Sequence, residues 1–137
     1  MKLNTYLHFK DNCEEALRFY EKTLGGKLVF MMRYNESPEA QECSKAMGAK
    51  IMHGRIVIGD NVIMGSDCPP VRYSPQAGFS ISINVDTPEE AERYYKALSE
   101  KAKEICMPMG ETFWAKRFGM LIDQFGVPWM INCEKKP

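Results

Sequence analysis

Asn12-Cys-Glu-Glu-Ala-Leu-Arg-Phe-Tyr20 is a stretch that this chain writes twice. The second copy is Thr87-Pro-Glu-Glu-Ala-Glu-Arg-Tyr-Tyr95. Glu14, Glu15, Ala16, Arg18 and Tyr20 recur as Glu89, Glu90, Ala91, Arg93 and Tyr95, a constant offset of 75 (95 − 20). Both copies read as helix starts. Asn12 and Thr87 are capping residue types, Glu15 and Glu90 stand three residues on as in a capping box, and Pro88 suits a first helical position. Ala16, Phe19, Tyr20 and Leu24 fall at helical spacing, as do Ala91, Tyr94, Tyr95 and Leu98, so each helix carries one apolar stripe, with the tyrosines expected on the packed undersides. Because the flanks repeat as well, the pattern reads as an internal duplication.

Working outward, Leu3 to Phe9 alternates as a strand before the first helix, which stops at Gly25-Gly26. Lys27 to Arg33 is a second strand. Asn35 to Gly48 is polar and irregular, placed to act as a lid over a site. Ile51–Ile58 and Val62–Ser66 pair across Gly59-Asp60-Asn61 as a hairpin. Cys68 to Ala77, with three prolines, links the halves. Phe79 to Val85 alternates again, the second helix follows, a strand lies near Lys103–Met109, and Phe118–Ile122 with Pro128–Cys133 closes the chain as a hairpin. The order is βαβββ twice, an α+β chain with a mostly antiparallel sheet. We expect one domain of 137 residues, with module one at about 1–67, a linker at 68–77 and module two at about 78–134. The last hairpins align at an offset of 65, Gly54 with Gly119 and Val62 with Val127. A longer insertion at 35–48 in the first half accounts for the drop from 75.

Composition bounds the function. Lys+Arg and Asp+Glu are both 18, so no charge excess calls for nucleic acid or an anionic membrane. No apolar run approaches a membrane span, and acidic residues arrive too early for a secretory signal. Five scattered cysteines suit reduced thiols and a cytoplasmic location. Cys13 sits in a first helical turn, where the dipole could lower its pKa; the plainer reading is a surface thiol without a role.

Two βαβββ modules resemble the vicinal oxygen chelate superfamily of glyoxalase I, extradiol dioxygenases and the bleomycin and fosfomycin resistance proteins. Tyr6-Leu-His-Phe…Asn12-Cys-Glu-Glu-Ala…Phe19-Tyr20…Leu24-Gly25-Gly26 looks like its PhnB-like (YjdN-like) branch. So do Gly110-Glu-Thr-Phe-Trp-Ala-Lys-Arg-Phe-Gly119 and Asp123-Gln-Phe-Gly-Val-Pro-Trp-Met-Ile-Asn132. This branch also carries the labels 3-demethylubiquinone 3-methyltransferase and, at times, DNA-binding. The chain has neither a basic stripe nor a glycine-rich cofactor loop to support them.

The resemblance implies two half-cups facing a metal, with ligands from the first and last strand of each module. Carried over, those positions are Thr5, Gly65, Ser80 and Met130, which cannot build a divalent-ion site. No metal and no cofactor are therefore expected, and metal-dependent chemistry of the usual family kind is not. If Ser80 points into the cup, so do Ser82 and Asn84, and by repeat Thr5, Leu7 and Phe9, with His8 facing away. Ile56 and Ile58 read as helix-facing, leaving His53, Arg55 and Val57 for the cavity. His53 is read as a general base or anion-binding group, or else as a hydrogen-bonded structural histidine. Glu111 is the second acid–base residue. Glu111 with Lys116 reads as a ligand clamp or a solvated pair, Trp114 as a flat ligand platform or core, and Asp67, Arg55, Ser80 and Ser82 as ligand contacts. Two functions follow: a metal-independent enzyme on a small oxygen-rich or aromatic metabolite, with His53 and Glu111 as its acid–base residues, or a non-catalytic protein that sequesters a small molecule. A symmetric homodimer is expected, because a curled sheet leaves edges to cover.

Overall fold

The computed structural model describes residues 1–38 and 46–136. The chain divides into two compact units, Met1–Pro75 and Gln76–Pro137. The first contains β1 (Thr5–Phe9), α1 (Cys13–Leu24), β2 (Lys27–Arg33), β3 (Ile51–Ile58) and β4 (Asn61–Asp67). The second contains β5 (Ile81–Asn84), α2 (Pro88–Leu98), β6 (Glu104–Gly110), β7 (Ala115–Ile122) and β8 (Pro128–Glu134). Each unit is a four-stranded open sheet, ordered β1-β4-β3-β2 in one and β5-β8-β7-β6 in the other. One pairing in each is parallel and two are antiparallel. The βαβββ duplication read from the sequence is the fold. The strand around 79–85 is shorter than its alternation predicts, and β7 begins three residues earlier than expected. Half of the predicted lid, residues 39–45, lies outside the described residues. Its flanks are joined by backbone bonds from Tyr34 N–H to the Lys50 carbonyl and from Asn35 N–H to the Gly48 carbonyl, both 3.0 Å.

Each helix covers one face of its own sheet. In the first unit Ala16, Leu17 and Tyr20 of α1 are fully buried with Leu7, Phe9 and Ile56. In the second, Ala91 and Leu98 of α2 are fully buried, as are Trp129, Ile131 and Leu121 of the strands. The helices approach closely because a glycine sits beneath each. A Cβ on Gly54 would lie 2.4 Å from Leu17 Cδ1, and one on Gly119 would lie 2.9 Å from the Tyr95 ring. The 65-residue offset between these glycines is thus a packing requirement written twice.

The two helix starts are held differently. Thr87 caps α2 as predicted, its hydroxyl oxygen accepting the Glu90 N–H at 3.2 Å. Asn12 makes no side-chain cap bond. The carboxylate of Asp67, 54 residues away, accepts the Cys13 N–H instead, at 3.0 Å. At the other end α1 stops at Gly25 in the left-handed region (φ 72°), as the Gly25-Gly26 signal predicts.

Register decides which side chains face the helices, and here the sequence reading needs correction. The row Leu7–Gly65–Gly54 in the first sheet matches Ile83–Ile131–Gly119 in the second. The offset is therefore 76 (83 − 7) for the first strands and 66 (131 − 65) for the last, not 75 and 65, while Gly54 and Gly119 keep the 65. The first unit has one more residue between β1 and its helix, and Asp11, in the left-handed region at φ 71°, lies in that connection. A one-residue slip turns every side chain to the opposite face. Leu7 and Phe9 are 0% and 1% exposed beneath α1, so they do not line a cup. Tyr6 and His8 occupy the helix-free face.

Candidate functional site

The helix-free face of the first sheet collects polar and aromatic groups from three strands. β1 presents Tyr6 and His8, β2 presents Phe30, and β3 presents His53 and Arg55. The Tyr6 hydroxyl lies 3.1 Å from Nδ1 of His53. When the imidazole is neutral and protonated on Nε2, the phenol donates to Nδ1 and leaves Nε2–H for another partner. The Tyr6 ring stacks on His53 at 5.6 Å and lies 5.1 Å from His8, and Phe30 flanks His53 at 5.7 Å. Arg55 is next to His53 on the same face. Its Nε is buried and has no hydrogen-bond partner among the described residues. A guanidinium N–H withdrawn from water without an acceptor costs stability, so the position is one that an incoming acceptor would satisfy.

Asp67 is placed elsewhere. It is 2% exposed, and its two oxygens accept the N–H groups of Cys13 (3.0 Å) and Ile51 (2.9 Å). The Tyr34 hydroxyl donates to its backbone carbonyl at 2.6 Å. Asp67 therefore ties the start of α1 to the start of β3. Cys13 is buried against this carboxylate, neither a surface thiol nor an activated one. Burial first, then the charges of Asp67 and Glu14, pushes its pKa far above the ordinary thiol value, which outweighs the helix dipole.

In the second unit Ser82 and Asn84 occupy the helix-free face with their register partners Met130 and Asn132. Asn84 Nδ2–H donates to Ser82 Oγ at 3.3 Å, and Asn132 donates to Asn84 at 3.2 Å. The Asn132 side-chain oxygen is buried with no hydrogen-bond partner among the described residues. Ser80 lies just before β5. Trp114 packs edge-on against Phe113 and Phe118, at 4.9 and 5.2 Å, and its ring is part-exposed. Lys116 is exposed at a bulge between Ala115 and Arg117. The ion partner of Glu111 is Lys135, at 3.0 Å, and not Lys116.

The register also bears on the metal positions. Gly65 faces α1, since a Cβ there would lie 3.1 Å from the Phe9 ring and 3.4 Å from Cys13 Sγ. Thr5 shares the parity of Leu7. The helix-free positions in their place are Tyr6 or His8 and Met64 or Ser66. No group of three His, Cys, Asp or Glu among the described residues could hold a metal ion. Among the described residues, the side chains at these positions do not make up the donor set implied for a divalent centre. Tyr6 and the placement of His8 were missed by carrying the helix offset into the strand. The alternation of Leu7 and Phe9 with polar neighbours was the signal that could have found them.

The comparisons agree with this architecture. A family profile described as 3-demethylubiquinone-9 3-methyltransferase matches residues 1–132. Protein YjdN of Escherichia coli K12 is 36% identical over 144 residues, covering 99% of this chain and 97% of YjdN. The crystal structure of PA1353 from Pseudomonas aeruginosa is similar at 44% identity and a TM-score of 0.91, with 99% of both chains covered. A PhnB protein from Bacillus cereus follows at 25% identity and a TM-score of 0.81, covering 97% of this chain and 99% of that one. At the level of fold alone, a glyoxylase/bleomycin resistance protein/dioxygenase domain from Frankia superposes with a TM-score of 0.70 at 13% identity, covering 98% of each chain. No helix among the described residues is long and apolar enough to cross a membrane. The duplicated βαβββ architecture, the end-to-end profile match and the identity to YjdN together make this chain a member of the PhnB-like family, with a fold shared by the glyoxalase/bleomycin-resistance neighbour.

Proposed function

We propose that the protein handles a small organic molecule on the helix-free face of its first unit, without a resident divalent ion, and that His53 is its acid–base group. The observation that carries this reading is the Tyr6–His53 pair beside Arg55, whose buried Nε lacks an acceptor among the described residues. With Nδ1 engaged by Tyr6, Nε2 is the ring nitrogen left to exchange a proton with a ligand; to act as a base it takes the tautomer in which Nδ1–H donates to the Tyr6 oxygen. Arg55 supplies charge for an oxygen-rich ligand, and Phe30 with Tyr6 supplies flat apolar surface for its carbon skeleton. Ser80, Ser82, Trp114 and Lys116 are proposed ligand contacts of the second unit, with Glu111 as a further acid–base group. The methyltransferase wording of the family profile finds no counterpart in these groups.

A thermal-shift screen of metabolites and antibiotics supplies a ligand for the test. Replacing His53 by Ala should then abolish turnover or weaken binding at least tenfold while the melting temperature holds. A fall in melting temperature with binding and turnover intact would make His53 structural and overturn the reading. Tight binding without any turnover in the wild type would favour the sequestering function instead.

A further inference from the structure

At the carboxyl ends of β1 and β4, a cavity of about 300 Å³ is lined by His8, Tyr34, Ser66, Cys68, Pro69 and Arg72. The fold brings these residues together for local reasons. β1 and β4 run parallel with His8 and Ser66 as register partners, so the imidazole and the hydroxyl stand side by side. Pro69 then leads into a single 3₁₀ turn, Pro70–Arg72, which carries Arg72 to the cavity wall. Tyr34 opens another short turn, and its O–H is committed to the Asp67 carbonyl.

Among the described residues the lining holds a guanidinium and an imidazole and no carboxylate side chain, the oxygens of Asp67, next in sequence to Ser66, being turned to the Cys13 and Ile51 amides. Ser66 is only 7% exposed, and its hydroxyl is given no hydrogen-bond partner by the described residues. Arg72 has no ion pair among them either. A hydroxyl with no acceptor and a guanidinium with no ion pair among the described residues, both lining one cavity, are the donor half of a recognition site.

We propose that this cavity is an anion site that takes the carboxylate or phosphate group of a compact metabolite. Arg72 pairs with the charge, the Ser66 O–H donates to one of its oxygens, and the rings of His8 and Tyr34 wall the carbon portion. The volume lies at the lower end of the range for small-ligand pockets, which favours a single compact acid over a nucleotide. The site adjoins the His53 group through His8, whose ring lies 5.1 Å from that of Tyr6, but its donors, Arg72 and Ser66, are not part of that group.

The test titrates ¹⁵N-labelled protein with inorganic phosphate and, separately, with acetate, at constant ionic strength. Saturable shifts of the Ser66, Cys68 and Arg72 amide resonances are expected at millimolar anion. Arg72→Gln should weaken the response at least tenfold and Ser66→Ala several-fold. Arg72→Lys, which keeps the charge, should retain part of it, and Lys22→Gln, an exposed position in the last turn of α1, should leave it unchanged. Response to phosphate alone, to acetate alone or to both identifies the group recognised, and each supports the site. Absence of saturable shifts with both anions, or an unchanged response in Arg72→Gln, would overturn it.

Discussion

At the scale of single residues, the first unit depends on one buried carboxylate. Asp67 satisfies the first N–H of α1 and the first N–H of β3. Asp67→Ala leaves both amides without an acceptor, at about 1–3 kcal/mol for each. Urea unfolding should report this loss, and Asp67→Asn, which keeps one carbonyl oxygen, should lose less. Glu14 gives a pH dependence. Hydrogen bonds from Arg33 and then Arg18 hold its carboxyl below its ordinary value of 4.5. A depressed native pKa means stability that is present above the unfolded value and lost as pH falls through the native one. The stability gap between wild type and Glu14→Gln should therefore be fully present at neutral pH and close in acid below the ordinary carboxylate range. With the Glu14 side chain about a third exposed, the gap should stay below about 1 kcal/mol. A gap that is constant across the acid limb would refute the assignment.

At the scale of elements, two helices with nearly the same opening sequence are started by different means. Thr87→Ala removes a bond actually made and should cost about 1 kcal/mol. Asn12→Ala removes a side chain that makes no cap bond and should cost only a few tenths. Equal losses in the two variants, measured by chemical unfolding, would show that Asn12 caps after all. The helix–sheet contact makes a second prediction. Gly119→Ala forces a methyl group to within 2.9 Å of the Tyr95 ring, and the flat ring cannot retreat as a flexible chain end can. Overpacking of this kind costs about 1–3 kcal/mol. A melting temperature equal to wild type would mean that α2 shifts freely on its sheet.

At the scale of the whole molecule, β6 raises the question of assembly. It is an edge strand, and Glu104 through Pro108 are exposed in succession, with Ile105 at 41% and Met107 at 39%. An edge with free backbone groups and apolar side chains on view invites pairing with another strand. We expect a symmetric homodimer, and light scattering should return about twice the 15.7 kDa chain mass at micromolar concentration. Replacing Ile105 and Met107 together by lysine should shift that mass toward the monomer. A wild-type mass of one chain would remove the dimer altogether.

The sequence by itself determined the duplication, both helices and the βαβββ order, and it aligned Gly54 with Gly119. Those features rest on local signals: caps and stops within one turn, alternation within one strand, and a repeat that copies them together. It also placed His53 and Arg55 on the helix-free face, because Ile56 in the same strand marks the buried side. Only the tertiary structure decided the faces of β1 and β4, since face is a property of register and register is set by pairing across the sheet. A single added residue before α1 was enough to exchange Tyr6 and His8 for Thr5, Leu7 and Phe9. The partners of Asp67 and Glu111 were likewise beyond the sequence. Asp67 reaches an amide 54 residues away, and Glu111 pairs with Lys135, across a strand and its return. A charged side chain takes the partner that folding brings nearest, and no local pattern records which one that is.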